Sequence, residues 1–326
     1  MTRVSVIIPC LNAVRFIGES LGSVAAQTFS DWEIVVADDG STDGTLDVLA
    51  QWRGRLGDRL RILPGGQAAR GAGAARNRAA AASGGEYLAF LDADDMWLPT
   101  KLAEQIPLLE NSPPVDLAFA QAFCVDAEQR PVDPPPATGG WPAGIIGDAP
   151  HAGRVTDAYA GTIRQAVFAP CLTVVVRRAA FERAGGFPEQ LDHQVEDAVL
   201  WARIGRRSDF VFQPRVLALY RVHAGSWTIT QTRLSHLDGR FEIYRTLAGD
   251  TREVPPVLRH RLHRLVREYL NAPAPPAARL RAARRVAFWL AGRRLLDPSL
   301  LFRETAAALR DRTRATARRL LPGGTA

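Results

Sequence analysis

Cysteine is scarce. Cys10, Cys124 and Cys171 are the three in 326 residues, far apart, odd in number and without metal-site spacing. That excludes a disulfide framework or a zinc module and points to a reducing compartment. No apolar run is long enough to cross a bilayer. Met1-Thr2-Arg3-Val4 leads straight into strand-like residues without a signal-peptide pattern, so a cytoplasmic protein is expected. No serine or cysteine sits in a recognisable triad context, and a covalent nucleophile is not indicated. The arginine-rich end lacks aromatics interleaved as stacking platforms, which argues against a nucleic-acid partner.

What is present is ordinary in amount and uneven in placement. With 47% hydrophobic and 23% charged residues, the chain can bury a large core over roughly two domains. Residues 231–326 hold 20 Arg against 8 acidic residues, a formal +12. Against the total of +7, the first 230 residues stand near −5. Such a basic tail hints at an anionic surface as partner.

The most informative stretch is Tyr87-Leu88-Ala89-Phe90-Leu91-Asp92-Ala93-Asp94-Asp95. An apolar run of strand length ends in three carboxylates within four residues, where ligands gather in open α/β sheets. If the chain stays extended, Asp92 and Asp94 face one point and Asp95 turns aside. Two convergent carboxylates call for a positive charge between them, and Mg²⁺ or Mn²⁺ suits oxygen ligands of this kind. Before it, Val4–Ile8, Trp32–Ala37 and Leu60–Leu63 read as strands, with helical spacing between Arg15 and Gln27, after Thr45 and towards Ser83. Strands alternating with helices predict an α/β fold with a largely parallel sheet. Asp38 and Asp43, in the glycine-rich turn after the second strand, suit turn and helix-cap work.

Gly71-x-Gly73 follows a strand, opens a helix and precedes Asp92 by about 20 residues, as a dinucleotide fingerprint requires. Arg76 occupies the third glycine position, where close packing leaves no room for a side chain. The dehydrogenase reading is set aside.

Val6-Ile7-Ile8-Pro9-x-x-Asn12, Ala37-Asp38-Asp39-Gly40-Ser41-Thr42-Asp43, Ala75-Arg76-Asn77 and Phe90-Leu91-Asp92-Ala93-Asp94-Asp95 stand in this order. Gly185-Gly186-Phe187, Val195-Glu196-Asp197 and Tyr220-Arg221-Val222-His223 follow. Together they resemble glycosyltransferase family 2 over about residues 1–228. The resemblance implies a GT-A fold, Rossmann-like with a mixed, largely parallel sheet flanked by helices. It implies inverting transfer from a nucleotide diphosphate sugar, a UDP-sugar being favoured. By that resemblance Pro9, Asn12, Asp39, Arg76, Asp92 and Arg221 bind the donor, Arg76 and Arg221 facing its phosphates. Asp94, Asp92 and His223 hold the metal, Asp197 is the base, and Glu196 contacts the acceptor. The acceptor is expected to be a glycan or lipid-linked hydroxyl, in polysaccharide or glycolipid synthesis. The proline-rich loop at 126–150 would shape the acceptor side. A non-catalytic nucleotide-sugar or nucleic-acid binding protein on the same fold is the alternative.

The sequence is therefore divided into a catalytic domain, 1–228, and a basic, mainly helical C-terminal extension, 229–326. Leu258, Leu262, Leu265, Val266 and Tyr269 fall on one helical face, and Asn271–Pro276 interrupts the helix. Arg-rich helices are expected from Ala277 to Arg319. Phe288, Trp289, Leu290, Leu295 and Leu296 beside so many arginines predict peripheral binding to the inner face of an anionic membrane. The competing expectation is burial of these residues on the catalytic domain or in a homodimer.

Overall fold

The computed structural model describes residues 2–65, 71–112, 114–132, 145–146, 149, 151–164, 169–189, 191, 195–226 and 232–308. The chain divides into two compact units, Met1–Thr230 and Gln231–Ala326.

In the first unit, β1 (Val4–Cys10) is buried at every position, as a strand covered on both faces must be. It lies between two parallel neighbours, β2 (Trp32–Asp38) and β4 (Tyr87–Phe90), and β2 pairs in parallel with β3 (Leu60–Leu63). Helices α1 (Ile17–Ala25), α2 (Thr45–Leu56) and α3 (Ala72–Ala81) make the crossovers. Alternate residues of β1 serve opposite layers. Val4, Val6 and Ile8 pack with Ile17, Leu21 and Val24, whereas Ile7 packs with Ala75, Ala79, Phe90, Phe187 and Trp201.

Beyond β4 the sheet continues through β5 (Met96–Trp97), β6 (Val115–Val125), β7 (Ile145–Ile146), β8 (Gly153–Val155), β9 (Val175–Arg177) and β10 (Asp209–Arg221). The main order is β3-β2-β1-β4-β9-β6-β10-β5, with β7 on β6 and β8 on β10. Between the strands lie α4 (Lys101–Glu110), α5 (Ala158–Arg164), α6 (Arg178–Arg183) and α7 (Glu196–Gly205). β9 runs antiparallel to both β4 and β6, and β10 runs parallel to β6. Two reversals restore the direction, so β10 ends on the same edge as β1, β2 and β4. That edge collects Asn12, Asp38-Asp39, Asp92–Asp95 and His223. Midway along β10 the register shifts around Gln213–Ala218, where Pro214 has no amide proton to offer a ladder.

The second unit holds α8 (Arg233–Gly249), α9 (Pro256–Asn271), α10 (Pro276–Gly292) and a helical stretch at 298–308. α9 and α10 both open on proline, whose missing N–H costs nothing in a first turn. Leu258, Leu262, Leu265, Val266 and Tyr269 are all buried. Among the described residues no helix is long and apolar enough to cross a membrane. Residues 309–319, for which helix is also expected, lie outside the described set.

Candidate active site

Two backbone bonds define the acidic turn. Leu91 N–H still reaches Ile7 C=O, at 3.1 Å, but Asp95 N–H bonds back to Asp92 C=O at 3.1 Å. The chain therefore leaves the extended state at Asp92, and strand alternation no longer governs its side chains. Asp92 and Asp94 part. Asp92 Oδ1 accepts from Arg76 Nη2 at 2.6 Å, while Asp94 Oδ2 lies 3.0 Å from His223 Nε2. Asp95 is buried, and its Oδ1 accepts the Arg221 amide at 2.8 Å. Burial, and then the charges of Asp94 and Asp92, push its carboxyl well above the usual range.

Arg221, which the resemblance sets facing the donor's phosphates, turns its side chain inward. Its side chain is fully buried. Nε donates to Asp94 C=O and Nη1 to Ala127 C=O, both at 2.8 Å, and Nη2 to Glu19 Oε2 at 2.6 Å. The guanidinium also lies over the Phe16 ring, 4.6 Å from its centroid, and that ring packs against His223. Arg221 thus holds the backbone beneath the Asp94–His223 pair. Exchange of Arg221 for methionine leaves two half-buried carbonyls without these donors. Each bond to a charged group contributes about 1.5–3 kcal/mol, so we expect a loss of roughly 3 kcal/mol, measured by urea denaturation.

Arg76 also turns inward. It is 5% exposed; besides Asp92, its Nη1 donates to Glu196 Oε1 at 2.8 Å. One guanidinium therefore joins the acidic turn after β4 to the first turn of α7. Small neighbours make room for it. A Cβ on Gly73 would meet Glu196 Cγ at 3.2 Å and Pro188 O at 3.3 Å, so α3 approaches the Glu196 segment only without a side chain there. Asn77 fixes the other side, accepting from Phe187 N–H at 2.9 Å and donating to Phe187 C=O at 2.8 Å. Gly186 has φ +69°, and a Cβ there would stand 2.7 Å from Asn77 Oδ1. These are functions of Asn77 and the glycine pair that the motifs alone did not reveal; their signal was recurrence of both motifs in one family pattern.

Asp197 follows Glu196 and is half-buried. Burial and the Glu196 charge push its carboxyl up to about 7, although Arg76 and the Ala198 amide oppose them. The raised value sets a carboxyl that titrates near neutrality beside the arginine-linked acids.

At the nucleotide end expected from the sequence, Pro9 is buried within β1 opposite Ala37. Asn12, exposed and with φ +50°, accepts from Thr42 N–H at 2.8 Å while its own N–H bonds Ser41 Oγ at 2.8 Å. Its side-chain oxygen ties the first turn to the second rather than standing free. Asp38 accepts the Gly40 and Ser41 amides, and Asp43 those of Val14 and Thr45, the turn and cap work expected. Asp39 is buried and accepts Gly71 N–H at 2.9 Å, which pins the start of α3.

Two side chains here could hold a divalent ion. Asp94 and His223 stand together, with side chains 36% and 20% exposed, while Asp92 is held by Arg76. Among the described residues no group of three or more ligating side chains is gathered; of the expected Asp92, Asp94 and His223, the last two stand together. That suits an ion bound through few protein ligands plus substrate phosphates.

The family model of glycosyl transferase family 2 matches residues 5–167, half of the chain, including Asp39, Arg76, Asp92 and Asp94. The chain belongs to glycosyltransferase family 2. Over 131 residues this family 2 chain is 40% identical to an uncharacterized glycosyltransferase of Nostoc sp., covering 40% of each. Over 106 residues it is 39% identical to UDP-Glc:alpha-D-GlcNAc-diphosphoundecaprenol beta-1,3-glucosyltransferase WfgD of Escherichia coli, covering 32% of the chain and 41% of the relative. The aligned chain thus spans about two-fifths of the length of these relatives. S. aureus TarS 1-349 in complex with UDP-GlcNAc aligns with TM-score 0.57 at 22% identity, over 88% of this chain and 71% of that one. The mannosyltransferase PcManGT from Pyrobaculum calidifontis, in complex with GDP-Man and Mn2+, gives TM-score 0.58 at 21% identity, over 94% and 80%. Identities this low speak to fold, and the family 2 chain has the GT-A architecture expected, an α/β sheet with helices and a helical C-terminal region.

Of the proline-rich loop in this family 2 chain, residues 126–132 form a turn closed by Asp126 N–H to Arg130 C=O at 2.8 Å, and Ile145–Ile146 pairs with β6. Pro134, Pro135, Pro136, Pro142 and Pro150 lie outside the described residues.

Proposed function

We propose that the chain is an inverting glycosyltransferase that moves a sugar from a nucleotide diphosphate sugar to an acceptor hydroxyl by single displacement. The observation that carries this is the Arg76 bridge. It sets Asp92, after β4, and the Glu196-Asp197 turn of α7 into one cluster at the carboxyl edge of the sheet. Asp197, pushed up to about 7, has a proton affinity matched to a general base near neutral pH. It takes the proton of the acceptor hydroxyl as that oxygen attacks the anomeric carbon. The bond from that carbon to the diphosphate oxygen breaks on the opposite face, and the configuration inverts. Glu196, anchored by Arg76, contacts the acceptor. Asp39, with Pro9 and Asn12 shaping the adjoining turns, lines the nucleoside end.

Asp94 and His223 would hold Mg²⁺ or Mn²⁺, with Asp92 nearby; such an ion supplies neutralisation of charge growing on the leaving diphosphate. The residues of the chain do the remainder. Arg76 holds Asp92 and Glu196 to one guanidinium, and Arg221 keeps the Asp94 backbone in place. Structural neighbours in complex with UDP-GlcNAc and with GDP-Man support a nucleotide-sugar donor. The Escherichia coli relative, named for UDP-Glc and a diphosphoundecaprenol-linked sugar, supports a UDP-sugar and a lipid-linked acceptor. A cytoplasmic site of action accords with these donors.

The test is calorimetry of UDP with Mn²⁺ on the wild type and Asp94→Ala. We expect metal-dependent binding in the wild type and at least about a tenfold loss in the variant, the equivalent of one charge-assisted contact. Equal affinity in both proteins refutes the Asp94 assignment. A thermal-shift screen of nucleotide diphosphate sugars then names the donor, because a ligand that binds the folded state raises its apparent stability. Salt-sensitive DNA binding without any response to nucleotide sugars would instead favour the non-catalytic reading.

A further inference from the structure

Helix α10 divides its side chains cleanly. Ala283, Val286 and Leu290 are buried, and the Trp289 ring meets the Phe241 ring edge-on at 5.9 Å. The apolar run Phe288-Trp289-Leu290, which the sequence offers as one membrane-facing patch, is therefore split: the last two residues serve the unit itself. The same holds for α9, whose apolar stripe is internal. Phe288 alone of the three points away, 84% exposed.

Its neighbours on that side are telling. At helical spacing Leu280, Arg281, Arg284 and Phe288 share one face, and all four are exposed. α10 contains no acidic residue. Four acids elsewhere in the unit are paired: Asp238 with Arg285, Glu242 with Arg245, Glu268 with Arg240 and Arg264, and Glu304 with Arg267. Among the described residues no carboxylate lies within ion-pair distance of Arg281, Arg284, Arg293 or Arg294. Phe302, 73% exposed, and the exposed Arg303 repeat the combination on the next helical stretch.

We propose that this face of α10 is a docking surface for an anionic lipid bilayer, with Phe288 and Leu280 entering the interface and Arg281 and Arg284 meeting the headgroups. Unneutralised cations beside isolated apolar side chains complement a surface that is negative outside and apolar beneath. A second copy of the chain fits less well. A two-fold interface sets a patch against itself, which would bring four arginines together around two phenyl rings. The inference stands on the second unit alone and holds whichever sugar or acceptor the first unit uses.

The full chain is sedimented with phosphatidylglycerol-containing vesicles and with phosphatidylcholine vesicles, at low and physiological salt. The expected result is binding to the anionic vesicles only, weakening with salt. Each basic residue near such a surface contributes about fivefold, so Arg281→Gln with Arg284→Gln is expected to lower partitioning by roughly 25-fold. Phe288→Ser should lower it by about tenfold through lost insertion, and Phe288→Trp should retain it, showing that the site and not folding is at issue. Arg259→Gln, on exposed α9 surface, should leave binding unchanged. The proposal is overturned if the full chain ignores anionic vesicles at low salt, or if Phe288→Ser binds like the wild type. It is equally overturned if light scattering shows the α10 variants altering oligomeric state while vesicle binding stays the same.

Discussion

Replacing Asp197 with asparagine is expected to lower turnover by about 10² to 10⁴, the usual contribution of a positioned proton acceptor. Nucleotide affinity should be unchanged, because the amide keeps the size of the carboxylate and the Arg76 links to Asp92 and Glu196 do not involve it. The wild-type pH profile should carry the same information. An acid whose proton leaves at about 7 is competent as a base only above that value. Hence kcat/KM of the wild type should rise tenfold per pH unit below about 7 and level off above it, and the variant should lack this limb. The sign of the stability effect is opposite. The folded chain holds the Asp197 proton more tightly than the unfolded chain, where the ordinary value is 3.8. This group therefore favours folding below about pH 4, and its contribution is lost as pH rises towards 7. A variant that turns over normally would move the base to Glu196 or another acid.

The second large effect is expected at Arg76. Its removal as Arg76→Met leaves Glu196, whose side chain is 10% exposed, and the partly exposed Asp92 without their shared counter-charge. Breaking a buried ion pair from one side costs about 3–5 kcal/mol, because the remaining charge is stranded. Equilibrium denaturation measures this directly. The surviving folded protein gives a second readout. Arg76 normally draws the Asp197 value down, so without it the rising limb of kcat/KM should move above 7. Arg76→Lys should restore part of the stability, since an ammonium keeps the charge but cannot span two carboxylates as the planar fork does. An Arg76→Met protein as stable as the wild type, with an unmoved pH limb, would remove Arg76 from its bridging role.

The strands and acids at the centre of the site were readable from local pattern. Val4–Ile8 and Tyr87–Leu91 are uninterrupted apolar runs that stop at turn residues or carboxylates, and a run of that kind marks both a buried strand and its functional end. The Glu196-Asp197 turn and Gly185-Gly186-Phe187 were visible only by resemblance. What escaped was the direction of the arginines. A sequence shows Arg221 beside His223, but its partner Glu19, on α1, lies 202 positions away, and the fold brings the two together. Likewise Arg76 meets Glu196 across 120 positions. The turn at Asp92–Asp95 was hidden for a local reason: alternation holds only while the strand does, and the strand ends before the acids begin. In the helical tail the burial of α9 followed from its periodicity. The parting of Phe288 from Trp289 and Leu290 depended on where α8 packs, which no run of apolar letters records.

Single displacement at the edge shared by Asp94, Arg76 and Asp197 is the central claim. Its most direct test needs no acceptor. The wild type is incubated with Mn²⁺ and the α-linked nucleotide sugar that most raises its melting temperature, and the sugar first released to water is followed by proton NMR before it mutarotates. Single displacement predicts the β anomer as the first product, formed at a much lower rate by Asp197→Asn. Release of the α anomer first would contradict it, because retention requires two displacements or a front-face path.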